Sequence, residues 1–579
     1  MMVTDSRRLT GPSLVLDSPG AVLEVHLDDE GAREGALGAW QGAARRLLDA
    51  VGWTGEALAI RRFRGGASIA ITAPVDALYA ATELNEAAWA EAVARLDGRP
   101  APDGAEVVER LRAAIREERN PALVALRDAA REHDVLFLSD DELVSVGSGA
   151  GASVWPADAV PAPAAVDWTR VHDEPVALVT GSNGKTTVVR LLAAMLAEAG
   201  RAVGLTSTDG VSVGGMMLAE GDYSGPSGAR LLLRRPDVEI AVLETARGGL
   251  LRRGLAVDRA SVAVVTNIAD DHLGDFGVQD TETLADVKLL VTRAVRAGGA
   301  VVLNADDPLL RERGARLSLP VVWFSLDPGR PEIVRHLAAG GRAALAEDGA
   351  LVLAKGAART TVARLDEVPS AMGGAARHNV ANALAALSAA SVLGVEPEAI
   401  GRALRRFGRA PGDNVGRANM VELGGVHLVI DYAHNPHGVA ALAEMVAAMP
   451  ARRTLVMIGQ AGDRTDEALR ALAASALAFR PDRIVLKEME RYLRGRAPGE
   501  IPEIMATELL RLGMPADAVS RPGTEVEAVR DALGWARPGD VLVLTVHQDR
   551  PLVLALLEQL RASGWRAGDP VPVMAGQPV

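Results

Sequence analysis

From residue 176 onward the chain repeats one pattern: short unbroken apolar runs, bounded by polar or turn residues, with helix-period stretches between them. The runs are 176–180, 238–243, 262–266, 300–303 and 321–325, and helical patterns at 188–199 and 284–297 separate several of them. Unbroken rather than alternating runs predict strands buried on both faces, as in a parallel sheet covered by helices. A weaker β segment (350–365) and an Ala-rich helix (379–393) follow. A second α/β series begins near Ala410, with strands at 427–431, 455–458, 483–486 and 541–545. Its helices fall at about 436–448, 466–479, 503–512, 525–533 and 551–562.

The first 150 residues read differently. Residues 35–51 place Leu37, Trp40, Ala44, Leu47 and Leu48 on one helical face. Further helices are predicted at about 77–96 and 106–118, and short β-like runs at 13–16, 21–27 and 67–72. The stretch 149–168 contains Pro156, Pro161 and Pro163 among Ala, Gly and Ser, and reads as a semi-stiff linker. The predicted class is multidomain α/β: a small α+β N-terminal domain (1–150), an Ala/Pro-rich linker (151–170), a P-loop parallel-sheet central domain (171–409) and a Rossmann-like C-terminal α/β domain (410–579).

Composition narrows the chemistry. At 579 residues, about four domains are expected at roughly 150 residues each. Aromatics are 3%, so the core is built from Ala, Leu and Val, and a base-stacking platform is disfavoured. A net charge of −13 argues against a phosphate-backbone binder. With no cysteine, disulfides, Cys-ligated zinc, iron–sulfur clusters and a Cys nucleophile are excluded. Residues 1–16 lack the apolar core of a signal peptide, and no run approaches the ~20 residues of a membrane span. The expectation is a cytoplasmic protein without nucleic-acid or membrane partners.

The strongest local signal is a strand at 176–180 running through Gly181, Ser182, Asn183, Gly184, Lys185, Thr186 and Thr187 into a helix. Glycines let backbone N–H groups close around phosphate oxygens, Lys185 reaches the outer phosphates, and the Thr186 hydroxyl suits Mg²⁺. Val179 stands where the full eight-residue pattern has its first Gly, so the match is the shorter Gly-x-x-Gly-Lys-Thr form. A plain Gly-rich turn is the bland alternative, and the coincidence of strand, glycines, Lys-Thr and helix favours nucleotide. Later runs end in Glu244 and in Asp270, Asp271 and His272. Ligands of open α/β sheets bind beyond the carboxyl ends of strands, so these side chains would share the crevice. Thr186 and Glu244 offer the oxygen ligands that Mg²⁺ prefers. Alone, Asp-Asp-His is more often a polar strand end.

Taken in order, the motifs resemble the Mur ligase superfamily, and within it the Mur-ligase-like half of the cyanophycin synthetases. The matching stretches are 181–186, 206–210 (with Thr208 and Asp209), 221–226, 243–252 (with Arg247), 266–274, 303–307, 431–436, 462–464 and 494–496. They are collinear over about 176–545. Leu9-Thr-Gly-Pro12 and the unit after it resemble the N-terminal domain of the same enzymes. In those enzymes an ATP-grasp domain lies between the two parts; here the linker takes its place.

The resemblance implies an ATP-dependent amide ligase. ATP would phosphorylate an acceptor carboxylate, and the amine of an amino acid would attack the acyl phosphate, releasing ADP and phosphate. It implies ATP and Mg²⁺ as cofactors, with catalytic roles for Lys185, Glu244, His272 and Lys288. Thr186 and Glu244 would hold one metal, and His272 a second beside a carbamylated Lys288, for which a surface helix lysine is the alternative. Asn379 and Asn382 match the motif facing adenine, although Asn379 alone reads as a helix N-cap. Asp431 would touch the ribose or order the hinge. Arg417 stands for an arginine of the domain junction, displaced within Pro411-Gly-Asp-Asn-Val-Gly-Arg417. Thr208, Asp209, Arg247, His434, Asn435, Arg464, Arg494 and Arg496 fall in substrate-binding stretches. A solvated basic loop is the other reading of Arg464, and a weaker one for Arg494 and Arg496.

The implied partners are a small-molecule or peptide carboxylate, such as an aspartyl peptide, and an amino acid such as arginine; a homo-oligomer is compatible with the sequence. The alternative function is a catalytically altered nucleotide-binding partner subunit of a ligase complex. Arg61, Arg62 and Arg64 read as a solvated basic loop, or by resemblance as a site for an acidic acceptor. His378 and His434 read as phosphate-site or structural polar groups, and His547 as a cap on a sheet edge.

Overall fold

The computed structural model describes residues 2–27, 29–100, 102–271, 273–410 and 412–572. The N-terminal part is a four-stranded antiparallel sheet in the spatial order Met2–Leu9, Gly20–His26, Gly66–Thr72, Leu58–Phe63. Alternation along Gly20–His26 turns Leu23 and Val25 toward helices Glu30–Val51 and Leu78–Leu96, and turns Glu24 to the opposite face. Two strands (Met2–Leu9 and Leu58–Phe63) and the helix Pro121–Glu132 have no counterpart in the sequence expectation. The expected strand at 13–16 is a turn, because the Ser13 hydroxyl accepts the N–H groups of Val15 and Leu16 at 3.2 and 3.0 Å.

The stretch expected to be a linker is folded. Its strand Ser153–Pro156 pairs with Leu143–Val146, which pairs with Phe137–Ser139. The Trp168 indole donates to Pro163 O at 2.9 Å and stacks on His133 with centroids 4.1 Å apart.

The middle of the chain forms an eleven-stranded sheet whose centre is parallel. From one side the parallel strands are Val203–Ser207, Ile240–Glu244, Val176–Thr180, Ala260–Val265, Val295–Asn304, Val321–Ser325 and Arg342–Glu347. Antiparallel hairpins close each edge: Gly210–Val213 with Met216–Glu220, and Ala350–Lys355 with Ala358–Arg364. The expected helix at 284–297 ends earlier. The helix Thr281–Leu289 gives way to a 3₁₀ turn, Leu290–Ala294, and Val295 already belongs to a strand.

The C-terminal sheet has the order Asn419–Leu423, Val426–Asp431, Val541–Thr545, Thr454–Ile458, Arg483–Leu486, Val519–Ser520, parallel except at its first pair. Helices cover both of its faces. The fold-class expectation, α/β with a parallel-sheet core and a second α/β unit, is thus met. Among the described residues no helix is long and apolar enough to cross a membrane.

Candidate functional site

A cavity of about 360 Å³ lies between the carboxyl ends of the central strands and the C-terminal unit. The loop after Val176–Thr180 forms its floor. Gly181 (φ +145°) and Gly184 (φ +87°) hold conformations that disfavour a side chain. A Cβ on Gly181 would overlap the Thr266 hydroxyl, and one on Gly184 the Asn382 side chain. Ser182 donates to Ala269 O at 2.9 Å, and Asn183 N–H donates to Asn267 Oδ1 at 2.9 Å. Lys185 opens the helix Lys185–Glu198, its Nζ donating to the carbonyls of Gly181 and Ser182 at 3.1 Å. Thr187 is buried, and its hydroxyl accepts Asn414 Nδ2 at 3.4 Å.

The Thr186 hydroxyl donates to Glu244 Oε2 at 2.9 Å. Glu244 is 2% exposed, and its Oε1 is buried without a hydrogen-bond partner. Burial pushes its carboxyl above the usual range, against the pull of Lys185 and Arg417. A hydroxyl beside a carboxylate with one orphaned oxygen is the donor set a hard divalent cation takes, so the residues present fit Mg²⁺. Arg417 approaches the same point, with NH2 3.2 Å from Thr186 Oγ1 and 3.5 Å from Thr208 Oγ1, its guanidinium 4.3 Å from the Tyr432 ring centroid. Asp209, in the same segment as Thr208, spends both oxygens on arginines: Arg190 at 2.8 Å and Arg550 at 2.6 Å. It joins the middle of the chain to the C-terminal unit.

Lys288 is 3% exposed, so it is not a surface helix lysine. Burial, with Lys185 nearby, lowers its pKa to about 7, against the opposing effect of Asp271. Arg247 begins the helix Arg247–Arg253 and pairs with Asp275 at 2.7 Å. His272, expected at the second metal, lies outside the described residues.

Asn379 and Asn382 both border the cavity from the helix Arg377–Val392. Asn379 is not its N-cap; that position is Ala376. Its side chain donates to Ser370 O at 3.0 Å and accepts Asn382 Nδ2 at 3.4 Å. Asp431 accepts the N–H groups of Ala418 (2.7 Å) and Ala433 (2.6 Å), which orders the junction after Arg417. His434 Nε2 lies 3.8 Å from Asp271. Asn435 caps the helix Pro436–Ala447 and donates to Asn183 Oδ1 at 3.0 Å, so the C-terminal unit grips the glycine loop itself. His378 is half-buried at the cavity wall, where desolvation lowers its pKa.

Arg464, Arg494 and Arg496, the arginines of the C-terminal unit expected at substrate, are treated unequally. Arg496 is spent on Gly462 O, Arg464 O, Asp466 and Glu500, and so ties two loops together rather than lying in a solvated loop. Arg464 stands beside Asp463 at 3.4 Å. Arg494 is exposed, with φ +50°.

The sequence reading missed Lys487 and Glu525. Lys487 is 0% exposed, and its ammonium donates to Glu525, to Thr545 O at 2.5 Å and to His547 Nδ1 at 2.9 Å. Glu525 also accepts the N–H groups of His547, Gln548 and Asp549. His547 is therefore not an edge cap. With Nδ1 accepting from Lys487, its proton sits on Nε2, 3.2 Å from Ala433 O. Burial, then the Lys487 charge, holds the ring neutral, well below its usual pKa. It braces the 431–435 turn beneath the cavity. The only hint in the sequence is that Lys487 and His547 follow strands at their carboxyl ends, while Glu525 opens a helix.

Known proteins resemble this chain in sequence and fold. Residues 179–390 match the Mur ligase middle domain, and residues 416–546 match the Mur ligase, glutamate ligase domain. The chain is 40% identical over 371 residues to cyanophycin synthetase of Crocosphaera subtropica, an overlap of 64% of this chain and 42% of the relative. It thus spans less than half the length of that relative. It is 32% identical over 379 residues to UDP-N-acetylmuramoyl-L-alanyl-D-glutamate–2,6-diaminopimelate ligase of Corynebacterium efficiens, covering 63% of this chain and 68% of the relative. Among solved structures, E. coli FolC in complex with ADP superposes with a TM-score of 0.50 at 21% identity, over 67% of this chain and 90% of that one, a likeness of fold.

Proposed function

The chain belongs to the Mur ligase family, and on that premise we propose that it is an ATP-dependent carbon–nitrogen ligase. It activates an acceptor carboxylate as an acyl phosphate and couples it to the amine of an amino acid. On this reading residues 171–409 bind the nucleotide and residues 410–579 close over it. The observation that carries the reading is the Thr186–Glu244 pair, with its orphaned carboxylate oxygen, beside Lys185 in a glycine-framed phosphate loop.

Two anions, the carboxylate and the γ-phosphate, must meet, so the site has to neutralise charge and fix geometry. Lys185 lies where it can swing from its loop carbonyls to the outer phosphates. Thr186 and Glu244 would hold Mg²⁺, which supplies further neutralisation of the phosphates. Arg417, above Thr186, is placed to meet the developing charge from the C-terminal side. The Asn379–Asn382 pair borders the cavity, which also presents Phe324, Leu326 and Ala381, a setting for an adenine. Lys288, with its pKa near 7, carries a sizeable neutral fraction at neutral pH, and the neutral amine is the form that reacts with CO₂ to give a carbamate. As a carbamate it would join His272 at a second metal. Arg247 and Arg464 are the basic side chains we assign to substrate carboxylates, and exposed Arg494 to the approach path. Asp209 and Arg496 take no part in substrate binding on this reading, since their polar atoms are engaged within the chain.

The acceptor is a small or peptidic carboxylate, and the resemblance implies an aspartyl acceptor with arginine as the amine. The test is release of phosphate from ATP by the full chain with Mg²⁺ across a panel of acid–amine pairs. The reading expects ADP, phosphate and an amide only with the right pair. No coupled product across a broad panel would count against it.

A further inference from the structure

The N-terminal sheet is fastened to the two segments that present Arg247 and Asp275. Leu9-Thr-Gly-Pro12 lies along residues 251–255: Thr10 N–H donates to Arg253 O at 2.8 Å, and Leu255 N–H donates to Pro12 O at 2.7 Å. The backbones are so close that a Cβ on Gly11 or Gly254 would overlap the facing chain. Arg7 Nε reaches Leu251 O in the same helix at 3.0 Å.

The second attachment is to the loop between Asp271 and the helix that carries Lys288. The Arg61 guanidinium forks onto Phe276 O (2.6 Å) and Gly277 O (3.0 Å). Arg64 N–H donates to Gln279 Oε1 at 3.0 Å, and Gln279 Nε2 returns a bond to Arg64 O at 2.8 Å. Both carbonyls that Arg61 holds belong to left-handed residues, Phe276 at φ +52° and Gly277 at φ +65°. For Phe276 that conformation is unfavourable and persists only where its surroundings enforce it. The Arg7 guanidinium lies 4.4 Å over the Phe276 ring.

One buried carboxylate joins the two attachments. Glu24, 3% exposed, accepts Arg7 NH2 at 2.8 Å and the Ser68 hydroxyl at 2.7 Å, and Ser68 Oγ accepts Arg61 NH2 at 3.1 Å. Arg61 is therefore neither a solvated loop residue nor free for an acidic acceptor. We propose that the N-terminal domain is a working part of the candidate ligase site, and that Arg61 is a positioning residue: it holds the 273–280 loop so that Asp275 keeps Arg247 aimed at the substrate side. The kinetic part of this inference rests on the ligase reading; the clamp itself does not. Arginine suits the task because its planar fork presents separate nitrogens, at fixed spacing, to the Phe276 and Gly277 carbonyls and the Ser68 hydroxyl, whereas a lysine has a single nitrogen at the end of a flexible stem.

The test uses the full chain with Arg61→Ala and Arg61→Lys. Hydrogen exchange without ligand reads the clamp: both variants raise exchange of the 273–280 amides by about tenfold while residues 176–200 keep their protection. With an acid–amine pair that turns over, kcat falls about tenfold or more and KM for ATP stays within about twofold, the mark of lost alignment rather than lost nucleotide binding. If Arg61→Ala unfolds the N-terminal domain, Arg61→Lys decides. Unchanged exchange in the loop overturns the clamp. A loosened loop with wild-type kcat overturns the positioning role. Absence of turnover by the unaltered chain counts against the ligase reading alone, and exchange still judges the clamp.

Discussion

Glu244 accepts the Thr186 hydroxyl through one oxygen at 2.9 Å, and its other oxygen is buried with no hydrogen-bond partner. An isosteric Glu244→Gln variant keeps the shape and removes the charge. Since burial raises the folded-state pKa above the ordinary 4.5, folding takes up a proton, and the stability tied to that proton is lost as pH rises above 4.5. Without nucleotide, the melting temperature of Glu244→Gln minus that of the unaltered chain therefore grows as pH rises above 4.5. With Mg²⁺ and ATP the order reverses: kcat falls by about 10²-fold or more, and added Mg²⁺ no longer raises the melting temperature.

Lys288, its pKa lowered to about 7, offers a reactive neutral amine at neutral pH. Turnover should drop in CO₂-free buffer, return with bicarbonate, and rise as pH passes upward through about 7. Lys288→Met should be slow and indifferent to bicarbonate. Full activity of the unaltered chain without CO₂ would remove the carbamate from the mechanism.

Asp209 bridges Arg190 and Arg550 across the junction between the central and C-terminal units. Asp209→Asn leaves two cations facing each other and should loosen closure. KM for ATP and kcat should change together, by about tenfold each, as expected when closure is impaired. Small-angle scattering should show the ATP-bound variant more open than the unaltered complex; identical scattering and kinetics would confine Asp209 to a local role.

Lys487 and Glu525 form a fully buried pair. Lys487→Met alone leaves Glu525 uncompensated and should cost about 3–5 kcal/mol in urea unfolding. Adding Glu525→Gln should restore part of that loss. In folded Lys487→Met, the ¹⁵N tautomer signature of His547 should shift away from pure Nε2–H, because the donor that holds Nδ1 is gone.

Much of the fold could be read from residue order. Buried parallel strands such as 176–180 and 321–325 are unbroken apolar runs, and their expected and observed bounds coincide. The strand Met216–Glu220 escaped notice because it is the sheet edge, where Met216, Met217 and Leu218 are exposed and no core imposes a period, and its neighbour Gly210–Val213 is only four residues long, with Val211 and Val213 buried. The glycine loop after 176–180 is local in sequence, and its strand–loop–helix form was legible there. The roles of Arg61, Asp209 and Arg496 were not, because each is decided by partners that the fold brings together, such as Phe276 for Arg61 and Arg550 for Asp209. Lys487 and Glu525 look like ordinary charged residues until burial makes them a pair.

The most direct measurement follows oxygen. With the acid–amine pair that supports turnover, the acceptor carboxylate is labelled with ¹⁸O and the released inorganic phosphate is analysed by mass spectrometry. Activation through an acyl phosphate predicts one ¹⁸O atom in each phosphate released, alongside ADP and the amide in equal amounts. Label appearing in AMP, or phosphate free of label, would contradict it.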